Sequence, residues 1–578
     1  MRLRALLLLC PALLLLGLAW TLSGIRVPLP TGDEATPVMI VQSLWHDHDL
    51  VYRQADLARA GRIWDDGPAG LTLFTGDGGR TMHYGRPLAY PLAVLPFYAL
   101  LGVRGIALFN MALFLAMAGA ALWHLREETG LAGLFVSGFF FASAAFAYAF
   151  RLESEVFLMA CVFFPLLIWQ RLRKAPDGDR RHLAALAGAG ALVGAALVSS
   201  PLLAVLGLPI LLDLAARRRW RGALALLAGA LLAAGALSLA QRVGTGEWSA
   251  FAGVQRRSFE TEFPLESSRD LWQGYRSESS PVLMDGLRLL PRNLVYLLAG
   301  RYTGLLPYFP FALFALALCL LGWKDRSRHL LLAALGVYVL GVLLAHPRSF
   351  DGGLGFLGSR AWAIAYPAFL FLPGHIPVRR SLALPYLAAG LWTVAAVAGS
   401  FSRLAPEGAY QIQTEAPAFQ RLPLELTLLP GDRLPGFFTQ TWGDAVWIEP
   451  RGSFFAEEQR PDGVWVRGSS RSEVIVVSPA PLSRLEFTVR SLAVDNELLL
   501  DSGTDRLRVR FDTAGKRGGT PAELAARPVA RDLGFFPRDF FYRFTLETTG
   551  GLVPARRDPR SRDTRDLGVF LDFTPQGF

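Results

Sequence analysis

The sequence predicts a polytopic α-helical membrane protein of GT-C-like arrangement followed by a β-rich domain, and three observations carry the architecture. Apolar stretches of about 18 to 22 residues recur from the N-terminus to about residue 400, each long enough to cross about 30 Å of hydrocarbon as a helix. Arginine-rich segments fall at every second turn between them. From about residue 405 the apolar stretches give way to short alternating segments set between Gly, Pro and Asp turns.

Composition agrees. A chain of 578 residues that is 52% hydrophobic and 18% charged is too apolar for a soluble enzyme and too charged to be wholly intramembrane. Its cysteines, Cys10, Cys161 and Cys319, all lie inside apolar stretches, where a thiol behaves as a small hydrophobe. They offer neither a disulfide framework nor metal-type spacing. The basic excess, 58 Lys and Arg against 48 Asp and Glu, is largely placed by the short inner loops and makes no case for nucleic acid.

Taken in order, MRLR precedes ALLLLCPALLLLGLAWTL, which is long for a secretory h-region and lacks a convincing cleavage site, so it reads as a retained span with its N-terminus inside. HLREETG, RLRKAPDGDRRH (171–182), ARRRWR (216–221), KDRSRH (324–329) and PVRR (377–380) then mark successive cytoplasmic turns. This alternation predicts about eleven spans in a cell membrane, of the bacterial inner-membrane kind, with the C-terminal domain extracytoplasmic. The outer loops, 23–103, 242–300 and 346–360, hold most of the unusual polar residues. HYGRPLAYPLAVLPFYALLG in the first carries three prolines in its apolar part and reads as a helix lying on the interface.

Several outer groups have two readings. Asp33 and Glu34 in TGDEATP sit where they either cap and charge-match a helix N-terminus or serve chemistry at the interface. In RLESE, Arg151, Glu153 and Glu155 lie between two strongly apolar runs with scarcely any loop, where unpaired charge is costly. Arg86 and Arg360 either snorkel as interfacial anchors or present a planar fork of donors to phosphate. The His46–Asp49 run WHDHD alternates possible metal ligands that do not converge on one helical face, and it reads as a polar helix end.

An acidic pair soon after span one, a basic residue ahead of an interfacial Pro-rich segment, a carboxylate outside the third span and a Gly-rich loop with an Arg before a late span together resemble the GT-C membrane glycosyltransferases. That class includes protein O-mannosyltransferases and lipid A aminoarabinose transferases. The resemblance covers about residues 1 to 400. It implies inverting transfer of a sugar from a polyprenyl-phosphate donor to an acceptor hydroxyl of a glycan, lipid or protein on the outer face. Such a reaction needs a general base for the hydroxyl proton and cations for the departing phosphate. Under the resemblance Asp33 is the candidate base, with Glu34 beside it as the alternative. Glu155, or else Glu153, matches the second carboxylate. Arg86, Arg360, Arg301, Tyr302, His83 and Tyr84 are candidates for the donor site. Members of the class differ in using a divalent cation, so the cofactor stays open.

The domains expected are thus 1–400, the membrane transferase, and 405–578, where EFTVRSLAVDNELLLDSG, DRLRVRFDT and FYRFTLETTGG alternate as sandwich strands. A sandwich there suits glycan binding or a structural cover over the site. A flippase for lipid-linked glycans is the main rival; it predicts charges within spans and symmetry between halves, and the sequence shows neither. An inactive, membrane-anchored glycan-binding protein is a third reading. Reporter fusions test the topology: fusions after residues 177, 325 and 379 should report cytoplasm and those after 270 and 450 the outer side. A cytoplasmic signal at 450 overturns the assignment.

Overall fold

The computed structural model describes residues 34–64, 71–75, 81–126, 132–173, 179–251, 255–259, 282–321, 325–350, 358–373 and 421–428. Of 440–573 it describes all but 443–445, 453, 455–463, 494, 512–519, 534–537, 562 and 564. The first predicted span, Asp33 and the segment 374–420 lie outside these ranges.

The helices are α1 (Ala35–His46), α2 (Gln54–Ala60), α3 (Ala89–Leu101), α4 (Val103–Leu125), α5 (Ala132–Phe141), α6 (Ala145–Tyr148), α7 (Glu155–Leu172), α8 (Arg180–Ser199), α9 (Leu208–Ala216), α10 (Trp220–Thr245), α11 (Val282–Ala299), α12 (Leu305–Tyr308), α13 (Pro310–Leu321), α14 (Arg326–Ala345) and α15 (Arg360–Phe369). Among the described residues, α4, α7, α8, α10 and α14 are long and apolar enough to cross a membrane, and α3, α5, Pro201–Ala216 and Pro310–Leu320 are shorter apolar helices. Five of the eleven or so expected spans are therefore present at full length among the described residues. α7 is the most enclosed of the five, with 72% of its apolar window buried, whereas α10 at 11% lies on the outside of the bundle.

The ends of these helices sort by charge partner. Arg173 reaches both carboxylate oxygens of Asp325 at 3.2 Å, Arg217 Nε and Trp169 Nε1 both donate to Asp213 at 2.9 Å, and Arg219 donates to Leu172 O. Arg171 donates to Trp123 O and covers the Trp123 ring at 3.7 Å. Basic segments expected to share one side of the membrane thus meet at one end of the bundle. Glu34, the RLESE turn, Arg301 and Arg360 meet their partners at the other.

At that other end two expected outer loops are stitched together. Strand β1 (Leu71–Thr75) pairs antiparallel with β2 (His83–Tyr84) on one side and with β3 (Gln255–Phe259) on the other. Thr72 N–H donates to Thr36 Oγ1 at 2.8 Å, which fixes this small sheet to α1.

The C-terminal part is a sandwich of two antiparallel sheets. One runs β10 (Arg506–Phe511), β9 (Asn496–Asp501), β13 (Phe540–Thr548), β7 (Arg471–Ser478), β5 (Val446–Gly452) and β4 (Gln440–Trp442), with β12 (Ala530–Arg531) added beside β13. The other runs β11 (Thr520–Ala525), β8 (Arg484–Ser491), β14 (Leu567–Phe573) and β6 (Val464–Arg467). Val474 and Val476 of β7, with Tyr542 and Phe544 of β13, share a core with Val489, Leu524 and Val569 of the facing sheet. Their neighbours Ile475, Val477 and Phe541 point the opposite way, as period-2 alternation requires. There they form a second core with Leu289 of α11, Tyr302, Leu424 and Leu426. β7 is therefore covered on both faces.

This joint is polar as well as apolar. Arg301, with no exposed surface, meets Glu473 at 2.6 Å, and Arg543 bonds the same carboxylate. Glu425 Oε1 accepts from Tyr302 N at 2.8 Å, Thr303 N at 2.9 Å and Thr303 Oγ1 at 3.0 Å. Burial pushes its carboxyl up to about 6, the hydrogen bonds opposing the rise. The folded protein then holds a proton that the unfolded chain has lost between the reference 4.5 and about 6. Glu425's contribution is intact below that window and is lost as pH rises through it. Glu425→Gln removes this dependence. The stability difference between variant and wild type should move in the variant's favour by about 1.5 kcal/mol between about pH 4.5 and about pH 6.5, read from thermal unfolding in detergent. A difference that stays flat across that range contradicts the assignment.

Candidate functional site: a buried cluster of glutamates and arginines

Glu34 occupies the N-cap position of α1, yet its side chain makes no capping bond. Its Oε1 instead accepts from Arg151 Nε at 3.2 Å and from Leu152 N–H at 3.3 Å, across 117 residues of chain to the arginine. Of the two readings of Glu34, the cap is therefore not the one its side chain takes: long-range pairing with a guanidinium outweighs the local bond. Asp33, one peptide bond earlier, lies outside the described residues.

The RLESE turn runs from the end of α6 into α7. Arg151 Nε is also 3.3 Å from Glu153 Oε1. Glu155 is the first residue of α7, and Arg360, the first of α15, donates to its Oε1 through Nε at 2.7 Å and again through Nη2. Arg360 is placed by the packing of its helix. Tyr366 stacks on Phe139 of α5 at 3.9 Å and donates to Phe139 O at 2.8 Å, and Trp362 Nε1 donates to Leu297 O at 2.6 Å. Beneath the turn, Asn110 of α4 directs its amide nitrogen at Arg151 O, Glu153 O and the Tyr90 hydroxyl.

Three glutamates and two arginines thus share one enclosed site, with Glu34 7%, Glu153 2% and Glu155 1% exposed. Fully ionised, these five groups would carry one excess negative charge in a low-dielectric setting, which is costly. Burial pushes the Glu153 carboxyl well above the usual carboxylate range; Arg151 opposes the shift, and Glu155 and Glu34 add to it. A proton held there leaves the five groups neutral. Chemically, the site offers carboxylates that exchange protons and two guanidinium forks suited to phosphate oxygens.

Of the other expected site residues, His83, Tyr84, Arg301 and Tyr302 take other partners. His83 and Tyr84 form β2, the first tilted on Phe74 and the second edge-on to Tyr52. Tyr84's hydroxyl is held well above its usual range by burial, then by Asp56 and Tyr52, and its strand pairs with β1 in the small sheet. Arg86 follows, half-buried, ahead of α3. Arg301 and Tyr302, expected at the donor site, belong to the joint with the sandwich: a fully buried guanidinium neutralises Glu473, 172 residues on. In the WHDHD run, α1 stops at His46, Asp47 pairs with Arg59 at 2.5 Å and Asp49 with Arg53 at 2.9 Å. Among the described residues no three His, Cys, Asp or Glu side chains are grouped to hold a metal ion.

The sequence reading missed the roles of Arg151 and Asn110. Arg151 was marked as a charge needing a partner, but neither Glu34 nor Glu153 was named as that partner. Asn110 was the stronger signal, a lone amide within the apolar stretch VRGIALFNMALFLAMAG, where a polar side chain needs a partner.

No family model matches the chain, and no curated protein matches it. It is similar to the crystal structure of ArnT from Cupriavidus metallidurans bound to undecaprenyl phosphate, at 18% identity and a TM-score of 0.40, over 69% of this chain and 64% of that one. It is also similar to ArnT from Cupriavidus metallidurans in the apo state, at 14% identity and a TM-score of 0.39, over 70% of this chain and 65% of that one. The chain therefore matches less than two thirds of either ArnT chain.

Glu155 depends on Arg360 for its counter-charge. Arg360→Ala should lower stability by about 3–5 kcal/mol by stranding a buried carboxylate, and adding Glu155→Gln should restore much of that loss. Thermal unfolding of the single and double variants checks this. A single variant as stable as wild type would mean the pair is not what neutralises Glu155.

Proposed function

We propose that this chain is an inverting glycosyltransferase of GT-C type, moving a sugar from a polyprenyl-phosphate donor to an acceptor hydroxyl at the outer membrane face. The observation that supports it best is the enclosed cluster of Glu34, Arg151, Glu153, Glu155 and Arg360 at one end of an apolar helical bundle. There a lipid tail stays in hydrocarbon while its phosphate reaches paired cations. In the proposed step an ionised Asp33 takes the acceptor hydroxyl's proton as that oxygen forms its bond to the anomeric carbon. The bond from that carbon to the phosphate oxygen breaks with its electron pair, and the carrier phosphate leaves as an anion facing Arg151 and Arg360. Glu34 is engaged by Arg151 and Leu152, which suits it to hold the arginine and leaves the base role with Asp33.

The sandwich, seated on the same end through Arg301 and Glu473, covers the site in this reading. Incubating the purified protein with a panel of polyprenyl-phosphate sugars and measuring free carrier phosphate tests the reaction. Carrier release also separates transfer from flipping, which leaves the sugar–phosphate bond intact. In that assay Asp33→Asn should lower turnover about 100- to 10,000-fold with donor binding little changed. Glu34→Gln run beside it should fall less; a dead Glu34→Gln with an active Asp33→Asn moves the base one residue along.

A further inference from the structure

We infer that Asn110 is a positioning residue: its amide pins the RLESE turn and so sets where Arg151 and Glu153 stand. The inference rests on the transferase reading for its kinetic consequence, although not for its structural one.

Asn110 sits in the first half of α4, fully buried in a helix otherwise built of apolar and small residues apart from its ends. An amide in that setting is costly unless it is bonded. Its Nδ2 lies 2.7 Å from Arg151 O, 2.9 Å from Glu153 O and 3.0 Å from the Tyr90 hydroxyl. Two carbonyls flanking one residue converge on a single nitrogen, which fixes the curvature of the chain between them. The Arg151 and Glu153 side chains spring from those same residues and meet at 3.3 Å. Both carbonyls require a donor, so the amide cannot be turned over without losing both bonds, and Asn110 Oδ1 is left buried with no hydrogen-bond partner.

Backbone bonds and side-chain pairs act on the turn beside the amide. Arg151 N–H donates to Tyr148 O at 3.2 Å, Leu152 N–H donates to Glu34 Oε1, and the helical ladder of α7 begins with Leu158 N–H donating to Ser154 O. Tyr90 belongs to α3, so the same amide also joins the Pro-rich interfacial helix to the turn. Leu at this position keeps the size and donates nothing. Asp keeps the shape and donates one bond only when protonated; ionised, it turns negative oxygens on two carbonyls.

Amide hydrogen exchange and turnover in detergent, on Asn110→Leu and Asn110→Asp, test this. In Asn110→Leu, exchange over residues 149–156 should quicken while the bodies of α4 and α7 stay protected. Turnover should drop about 100-fold with the donor KM little changed, because the reacting groups are displaced and not removed. Asn110→Asp should match Asn110→Leu at about pH 8 and recover toward wild type at about pH 5.5, a recovery that loosened packing alone does not produce. Unchanged exchange over 149–156, a turnover loss under about threefold in Asn110→Leu, or an Asn110→Asp variant that tracks Asn110→Leu at every pH would each overturn the inference. If wild type releases no carrier phosphate from any donor while the exchange pattern responds as described, the transferase reading falls and the positioning role stands.

Discussion

Burying carboxylates at the end of a membrane bundle is the constraint on which the rest of the structure turns. A carboxylate removed from water must be paired, hydrogen-bonded or protonated, and here all three devices appear within one turn and its neighbours. Glu34 and Glu155 each take an arginine, Glu34 takes a backbone N–H besides, and Glu153 is driven toward its protonated form. The arginines come from distant stretches of chain, so the cluster also dictates packing. α1 must lie against the RLESE turn, and α15 must bring its first residue to the first residue of α7.

The same rule operates at the sandwich joint with a different outcome. Arg301, Glu473 and Arg543 form a compact triad among apolar side chains, while Glu425 satisfies the backbone of Tyr302 and Thr303. These groups are spent on one another and on the chain. Both places leave a buried carboxylate oxygen without a hydrogen-bond partner, Glu153 Oε2 and Glu155 Oε2 in the cluster and Glu425 Oε2 at the joint. What distinguishes the cluster is three carboxylates against two guanidiniums, an imbalance that drives Glu153 toward its protonated form.

Sequence reasoning reached the coarse architecture, apolar helices followed by a β-rich region, because its signals are local. Apolar length, arginine alternation and the period-2 pattern of EFTVRSL or DRLRVRF each speak for a few residues at a time, and the helices and strands follow them. It found Glu34, Glu153, Glu155 and Arg360 because charge beside an apolar run is conspicuous. It misplaced Arg301 because a guanidinium at the edge of an apolar helix looks the same whether its partner is a phosphate or a glutamate 172 residues later. It left a cap open for Glu34 because the local rule knows nothing of Arg151. Asn110 was legible as a costly intramembrane amide, yet the two carbonyls it serves, 41 and 43 residues away, were not.

Strand β7 is clad on both sides, Val474 and Val476 by the opposing sheet and Ile475 and Val477 by α11 and the 421–428 segment. The sandwich is therefore not a detachable module. Cut from the bundle, it would present to water a strip made of Ile475, Val477, Leu533 and Phe541, with the Glu473 carboxylate robbed of Arg301 at its margin. Such a fragment would be sticky where the intact protein is seamless. Anyone wishing to study the domain in isolation would have to re-surface that strip with polar side chains, and the list of positions to change is the joint itself.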